Sequence, residues 1–199
     1  MLSPSHLFYT PVESKWGRKY FEKAGSDPLN FYSIFSVVLS MDKVIVKWSS
    51  PYKLKENTPW DEGGKNGLYV ILQNPDGSDV VYAGMAGSKR GAVSEARGNR
   101  GKYVRRRKMR DLEYDKSEAE VYAGHLSNDD HGRIKLAEAL LISFLYRHHG
   151  HQIVNSQMLF YENKPPLMIL NAIENEGKLP GKVPPCLPHE ISSPPSDPI

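Results

Sequence analysis

The sequence predicts a small α+β domain, on three observations. Two short apolar runs flank a strong turn. A third β-rich run follows a basic segment. A long amphipathic helix comes next. The first run is Leu68 to Leu72 and the second Val80 to Ala83. Between them lies Asn74-Pro75-Asp76-Gly77, where proline presets φ and glycine accepts a positive φ. The two runs form a β-hairpin. Ala119 to Ala123 is the third strand. Arg133 to His148 is the best helix, and Gly150 ends it. The segment from Gly91 onward reads as partly helical. The tetrapeptide Val-Tyr-Ala-Gly occurs at 81–84 and again at 121–124, as two similar strand ends.

The flanks are less regular. Residues 1 to about 60 read as an N-terminal extension. It holds a weak helix over Glu13 to Ala24 and β-rich runs at Phe31 to Leu39 and Val44 to Trp48. Met168 to Glu174, within a segment at 166–179, reads as a short helix. Residues 180–199 hold seven of the fifteen prolines and read as a disordered proline-rich tail. The domain proper then occupies 61–165.

Of 199 residues, one is cysteine, Cys186, which excludes an internal disulfide and a thiolate zinc cluster within this chain. No apolar run is long enough to span a bilayer and the N-terminus lacks a secretory pattern, so the expectation is an intracellular protein without a membrane partner. The net charge is +3. From Lys89 to Arg110 there are ten Lys/Arg and one acidic residue, Glu95. That window carries +9, leaving −6 for the rest. A basic block in an otherwise acidic chain is the footprint of a polyanion partner, against the plain reading of a solvated basic helix.

Glu138 is the first candidate for chemistry. At 100° per residue it lies in the middle of the apolar stripe of Ile134, Leu141, Ile142 and Leu145. A carboxylate there is costly without a partner, which is either a metal ion or a structural anchor such as an arginine. Tyr69 and Tyr82 sit on the two hairpin strands, each beside a glycine that permits close approach. Core packing is the competing reading for either tyrosine alone. Lys89, Arg90, Arg97, Arg100 and Lys102 follow the hairpin. An arginine among them suits a bidentate phosphate clamp. Arg105, Arg106, Arg107 and Lys108 are too consecutive for one helix face and are expected to contact backbone phosphates. His148, His149 and His151 read as a solvated cluster at the helix end rather than as a metal site.

In this order, the residues resemble the GIY-YIG nuclease family. Gly67-Leu68-Tyr69, a gap of twelve, and Tyr82-Ala83-Gly84 match the paired triplets, with alanine replacing the central isoleucine of the second. Ala137 to Ile142 matches the glutamate helix, and Val154-Asn155 the trailing asparagine. The resemblance covers about residues 66 to 157. It implies a three-stranded antiparallel sheet flanked by helices, and a DNA endonuclease that uses one divalent metal. Glu138 would bind Mg²⁺ (or Mn²⁺). Tyr69 would act as, or relay to, the general base, Tyr82 would support it, and Asn155 would brace the site. The family's usual arginine position falls on Ala92, so Arg97 is the favoured phosphate arginine and Arg100 the reserve. The single cysteine and the chain's length point to a stand-alone or restriction-type member. The alternatives are a nucleic-acid-binding module that does not cut, and an interaction protein whose proline tail docks a partner.

Overall fold

The computed structural model describes residues 42–54, 66–73, 79–87, 91–115, 118–126, 131–155, 164–173 and 179–188. Contacts divide the chain between Met41 and Asp42, and every described residue lies in the second unit. The expectations for 13–24, 31–39, the 74–77 turn, Lys89 and Arg90, and the last eleven residues lie outside the described residues.

The hairpin forms where the sequence places it. Strand β3 (Gly67–Leu72) pairs antiparallel with β4 (Val80–Ala86), with a register shift at Ile71/Leu72. β3 also pairs antiparallel with β5 (Glu120–Leu126). The basic segment folds as two short helices, α1 (Ala92–Gly98) and α2 (Arg100–Lys108). Helix α3 (His131–His149) gives way to a 3₁₀ turn at Gly150–Gln152, and Gly150 takes φ of 57° as its residue type allows.

The sheet is larger than expected. A three-stranded antiparallel sheet is overturned by a curled seven-stranded mixed sheet in the order β4-β3-β5-β1-β6-β7, with β2 (Tyr52–Lys53) also on β5. β1 (Asp42–Trp48) pairs antiparallel with β5 and parallel with β6 (Leu167–Ile173). β7 (Cys186–Pro188) adds to β6. The physical reason is that three strands would leave the outer edge of β5 unpaired. β1 satisfies that edge, and its alternating Val44, Val46 and Trp48 bury one face.

Three boundary expectations are corrected with it. β1 is central to the sheet, so the domain begins before residue 61 rather than after an extension ending at 60. Residues 167–173 form a strand and not a helix; a short apolar run does not distinguish the two by periodicity. The tail reading fails for 180–188. Pro180–Lys182 is a 3₁₀ turn, and Val183 and Leu187 are core residues.

The sheet has two buried faces. α3 covers the first with Ile134, Leu141 and Leu145 against Val46, Trp48, Leu68 and Val70. α1 and α2 cover part of the second, with Ala92, Ala96 and Tyr103 against Tyr69, Ile71 and Ala123. Asn171 ties the added strands to the rest. It accepts from the Trp48 indole N–H at 2.8 Å and donates to the Pro184 carbonyl at 2.7 Å.

Candidate functional site at the β4 edge

β4 is an edge strand, and what closes its edge is the site. Val154 N–H donates to the Val81 carbonyl at 2.8 Å. The Asn155 side chain then behaves as one more strand residue. Its Oδ1 accepts from Ala83 N–H at 3.1 Å and its Nδ2 donates to Ala83 O at 2.7 Å. Two residues on, Glu138 Oε1 accepts from Met85 N–H at 3.1 Å. Asn155 and Glu138 are thus brought from the far side of α3 to neighbouring positions along one strand.

The tyrosines gather on the second sheet face. Tyr69 pairs across to Gly84 and Tyr82 to Ile71. A Cβ at Gly84 would lie 2.9 Å from the Tyr69 hydroxyl and from the Tyr82 ring. Glycine is required there because the Tyr69 phenol crosses β4 over that position. Gly67 meets backbone instead: its Cβ would run into the Gly124 carbonyl of β5. A third phenol, Tyr103 of α2, completes the group. Its hydroxyl is 3.2 Å from that of Tyr69, and its ring centroid is 4.7 Å from that of Tyr82.

Burial sets the electrostatics. It pushes the Tyr69 phenol well above the ordinary tyrosine value, with Tyr103 and Tyr82 adding to the effect. Burial also raises Tyr103. Tyr82 is raised first by burial and then by the Glu138 charge, against a lowering by Arg106. Glu138 is raised by burial, opposed by the Met85 hydrogen bond and by Lys135. Opposite charges thus act on the Tyr82 phenol, the Glu138 carboxylate raising it and the Arg106 guanidinium lowering it. Tyr69, only 3% exposed, lies behind it.

The basic block is divided by helical phase. Tyr103 and Arg107 are buried and Arg106 is half-buried, and Arg106, Arg107 and, from the turn after α2, the exposed Arg110 hold three successive carbonyls of the segment that leads to Asn155. Arg107 donates to Gln152 O at 3.2 Å, Arg110 to Ile153 O at 2.5 Å and Arg106 to Val154 O at 3.2 Å. Arg107 is also paired in a bidentate way with Asp79, at 2.7 and 3.0 Å. With 3% exposure, Arg107 is a structural anchor and not a phosphate contact. Arg105 and Lys108 face outward, and Lys102 is half-buried. Arg100 belongs to α2, and its side chain lies outside the described residues. Arg97 lies in the last turn of α1; the cation whose charge reaches Tyr82 is Arg106.

The structure thus brings together Tyr69, Tyr82, Glu138 and Asn155. Sequence reasoning missed Tyr103 and the anchoring arginines. Their signal was the three-to-four spacing of Tyr103, Arg106, Arg107 and Arg110, hidden by reading the arginines as a consecutive run. Among the described residues, no group of three or more His, Cys, Asp or Glu side chains is placed to hold a metal. Glu138 fits a hard cation as a single-carboxylate site: one oxygen accepts from Met85 N–H, no salt bridge is formed with it among the described residues, and Mg²⁺ commonly takes one or two carboxylates with water and phosphate. His148 packs on Phe144 with centroids 4.2 Å apart, and His149 Nε2 lies 3.1 Å from Gly181 O, so neither is part of this site. No described helix is long and apolar enough to cross a membrane.

Comparison with known proteins finds no matching family model, no matching curated protein and no matching solved structure.

Proposed function

We propose that this protein is a divalent-metal-dependent DNA endonuclease with a GIY-YIG-like site. The observation that carries the reading is that Glu138 and Asn155 bind neighbouring positions of the β4 edge, while Tyr82 of the same strand packs with Tyr69 and Tyr103 beside a cationic helix. Glu138 is the metal-binding carboxylate. When bound, a divalent cation supplies charge neutralisation at the phosphate and at the departing 3′ oxygen. Tyr82, not Tyr69, is the phenol at the attacking water, because it is half-buried where Tyr69 is fully buried, and the charges of Glu138 and Arg106 both act on it. A phenol is protonated at neutral pH and burial favours that form further, so it orients the water by hydrogen bonding. Tyr69 and Tyr103 fix the Tyr82 ring from behind. Arg106 faces the phosphate, and Asn155 holds β4 in place. Water adds to phosphorus and gives up a proton to solvent, the bond to the 3′ oxygen breaks and that oxygen takes a proton from solvent, leaving a 3′ hydroxyl and a 5′ phosphate.

A nucleic-acid-binding module that does not cut is the second reading. It is favoured by the burial of Tyr69, whose hydroxyl bonds another phenol. Supercoiled plasmid separates the two. We expect nicking or linearisation with Mg²⁺ or Mn²⁺ that is lost with EDTA and in Glu138→Ala. Binding without cutting under both metals, on plasmids of varied sequence, would favour the module. Equal cutting by Glu138→Ala would remove Glu138 from the site.

A further inference from the structure

Helix α2 has a second face that the site does not use. At 100° per residue, Gly101, Val104, Arg105, Lys108 and the C-cap residue Met109 fall within an arc of about 140°. All five are exposed. The opposite arc, Tyr103, Arg106, Arg107 and Arg110, is engaged as described above. The usual amphipathic order is therefore reversed in part: Arg106 and Arg107 pack inward, while two apolar side chains of the helix and its C-cap point to water. Val104 is 44% exposed and Met109 79%. A single exposed apolar residue needs no explanation. Here two of them share a face with two cations, on a helix whose residues 100–110 include no acidic side chain.

That combination suits a DNA groove better than a phosphate track. Phosphate contacts require only cations, whereas base edges offer apolar surface such as the thymine methyl. The major groove, about 12 Å wide, admits an α-helix. A Cβ built at Gly101 meets nothing within 4 Å, so the backbone there has room for close approach. The helix also sits at the right distance: its inner face stacks Tyr103 on Tyr82, so its outer face lies about one helix diameter, roughly 10 Å, from the proposed cutting site.

We propose that the outer face of α2 enters a groove of duplex DNA, with Arg105 and Lys108 on phosphates and Val104 and Met109 against base edges. The inference rests on the nucleic-acid side of the function proposed above and adds the element that reads sequence. It makes α2 a coupling element, with base contacts on one side and a tyrosine of the site on the other.

The test is binding without cutting. Wild type, Arg105→Ala/Lys108→Ala and Val104→Ser/Met109→Ser are each incubated in EDTA with a pool of random-sequence duplexes. Retained sequences are read, and affinity is measured against salt. All four side chains are exposed, so unchanged thermal midpoints are expected and confirm folding. Wild type should enrich a sequence. The cation variant should bind more weakly, with a slope of log K against log salt shallower by about 1 for each cation removed, and should keep the same preference. The apolar variant should keep the slope and lose or change the preference. An unchanged slope in the first variant, an unchanged preference in the second, or no preference in wild type would each overturn the proposal. Cutting by wild type in Mg²⁺ is scored separately: a protein that behaves as stated in EDTA and never cuts would sink the nuclease reading and leave this one standing.

Discussion

Glu138 combines a proposed metal-binding role and a cost of burial in one side chain. Its folded pKa is raised by burial, so the protonated form is favoured by folding. That contribution is complete below the unfolded glutamate value and is lost as pH rises through the raised folded value. Glu138→Gln keeps a neutral group at every pH and retains an acceptor for Met85 N–H. In metal-free buffer at pH 8 the variant is expected to melt above wild type, with the difference vanishing in acid. The same variant should lose metal-dependent cutting. Melting curves at pH 3.5 and pH 8 check the sign; a variant less stable than wild type at pH 8 would contradict the burial argument. Gly84 gives the opposite test. In Gly84→Ala the new methyl meets the Tyr69 hydroxyl and the Tyr82 ring at 2.9 Å, a clash expected to cost about 1–3 kcal/mol and to disturb the tyrosine group. Denaturant titration reads the loss.

At the scale of elements, the site depends on how α2 holds the segment after α3. The side chains of Arg106, Arg107 and Arg110 take the carbonyls of residues 152–154, and Asn155 then lies along β4. Arg107 and Asp79 form the buried ion pair in this arrangement. Removing one partner leaves the other charge buried, so Asp79→Ala is expected to cost about 3–5 kcal/mol. Asn155→Ala leaves the Ala83 N–H and C=O without their partner at a buried edge, an expected loss of about 1–3 kcal/mol. Urea midpoints for the two variants rank these expectations. A neutral Asp79→Ala would mean that the pair contributes nothing to holding α2.

At the scale of the whole molecule, the hairpin β3–β4 with β5 is only part of a larger sheet. β1, β6 and β7 continue it, and the core under α3 draws on both halves. Residues 180–188 belong to this core through Val183 and Leu187. A chain ended at residue 179 would expose the outer edge of β6 and lose the carbonyls of Pro184 and Pro185 that pair with Asn171. It is expected to unfold at a lower urea concentration than the full chain, and equal midpoints would show that β7 is dispensable.

Local pattern was enough for the hairpin, for α3 with Glu138 in its buried stripe, and for the end of that helix at Gly150, because turn chemistry and a 3.6-residue period act over a few residues. It also singled out Tyr69, Tyr82 and Glu138 as candidates, and the family resemblance added Asn155. It did not reveal the size of the sheet, since whether a short apolar run such as 167–170 becomes helix or strand depends on the partner waiting for it. The repeated Val-Tyr-Ala-Gly shows why. Both copies pair with β3, but Tyr82 lies opposite Ile71 and Tyr122 opposite Val70. That shift of one residue sends the first tyrosine to the site and the second to the core under α3. Gly84 then makes room for a phenol, and Gly124 for Val46 and Trp48. Four identical residues carry the same local information; register, fixed only by tertiary pairing, decides which copy faces the candidate site.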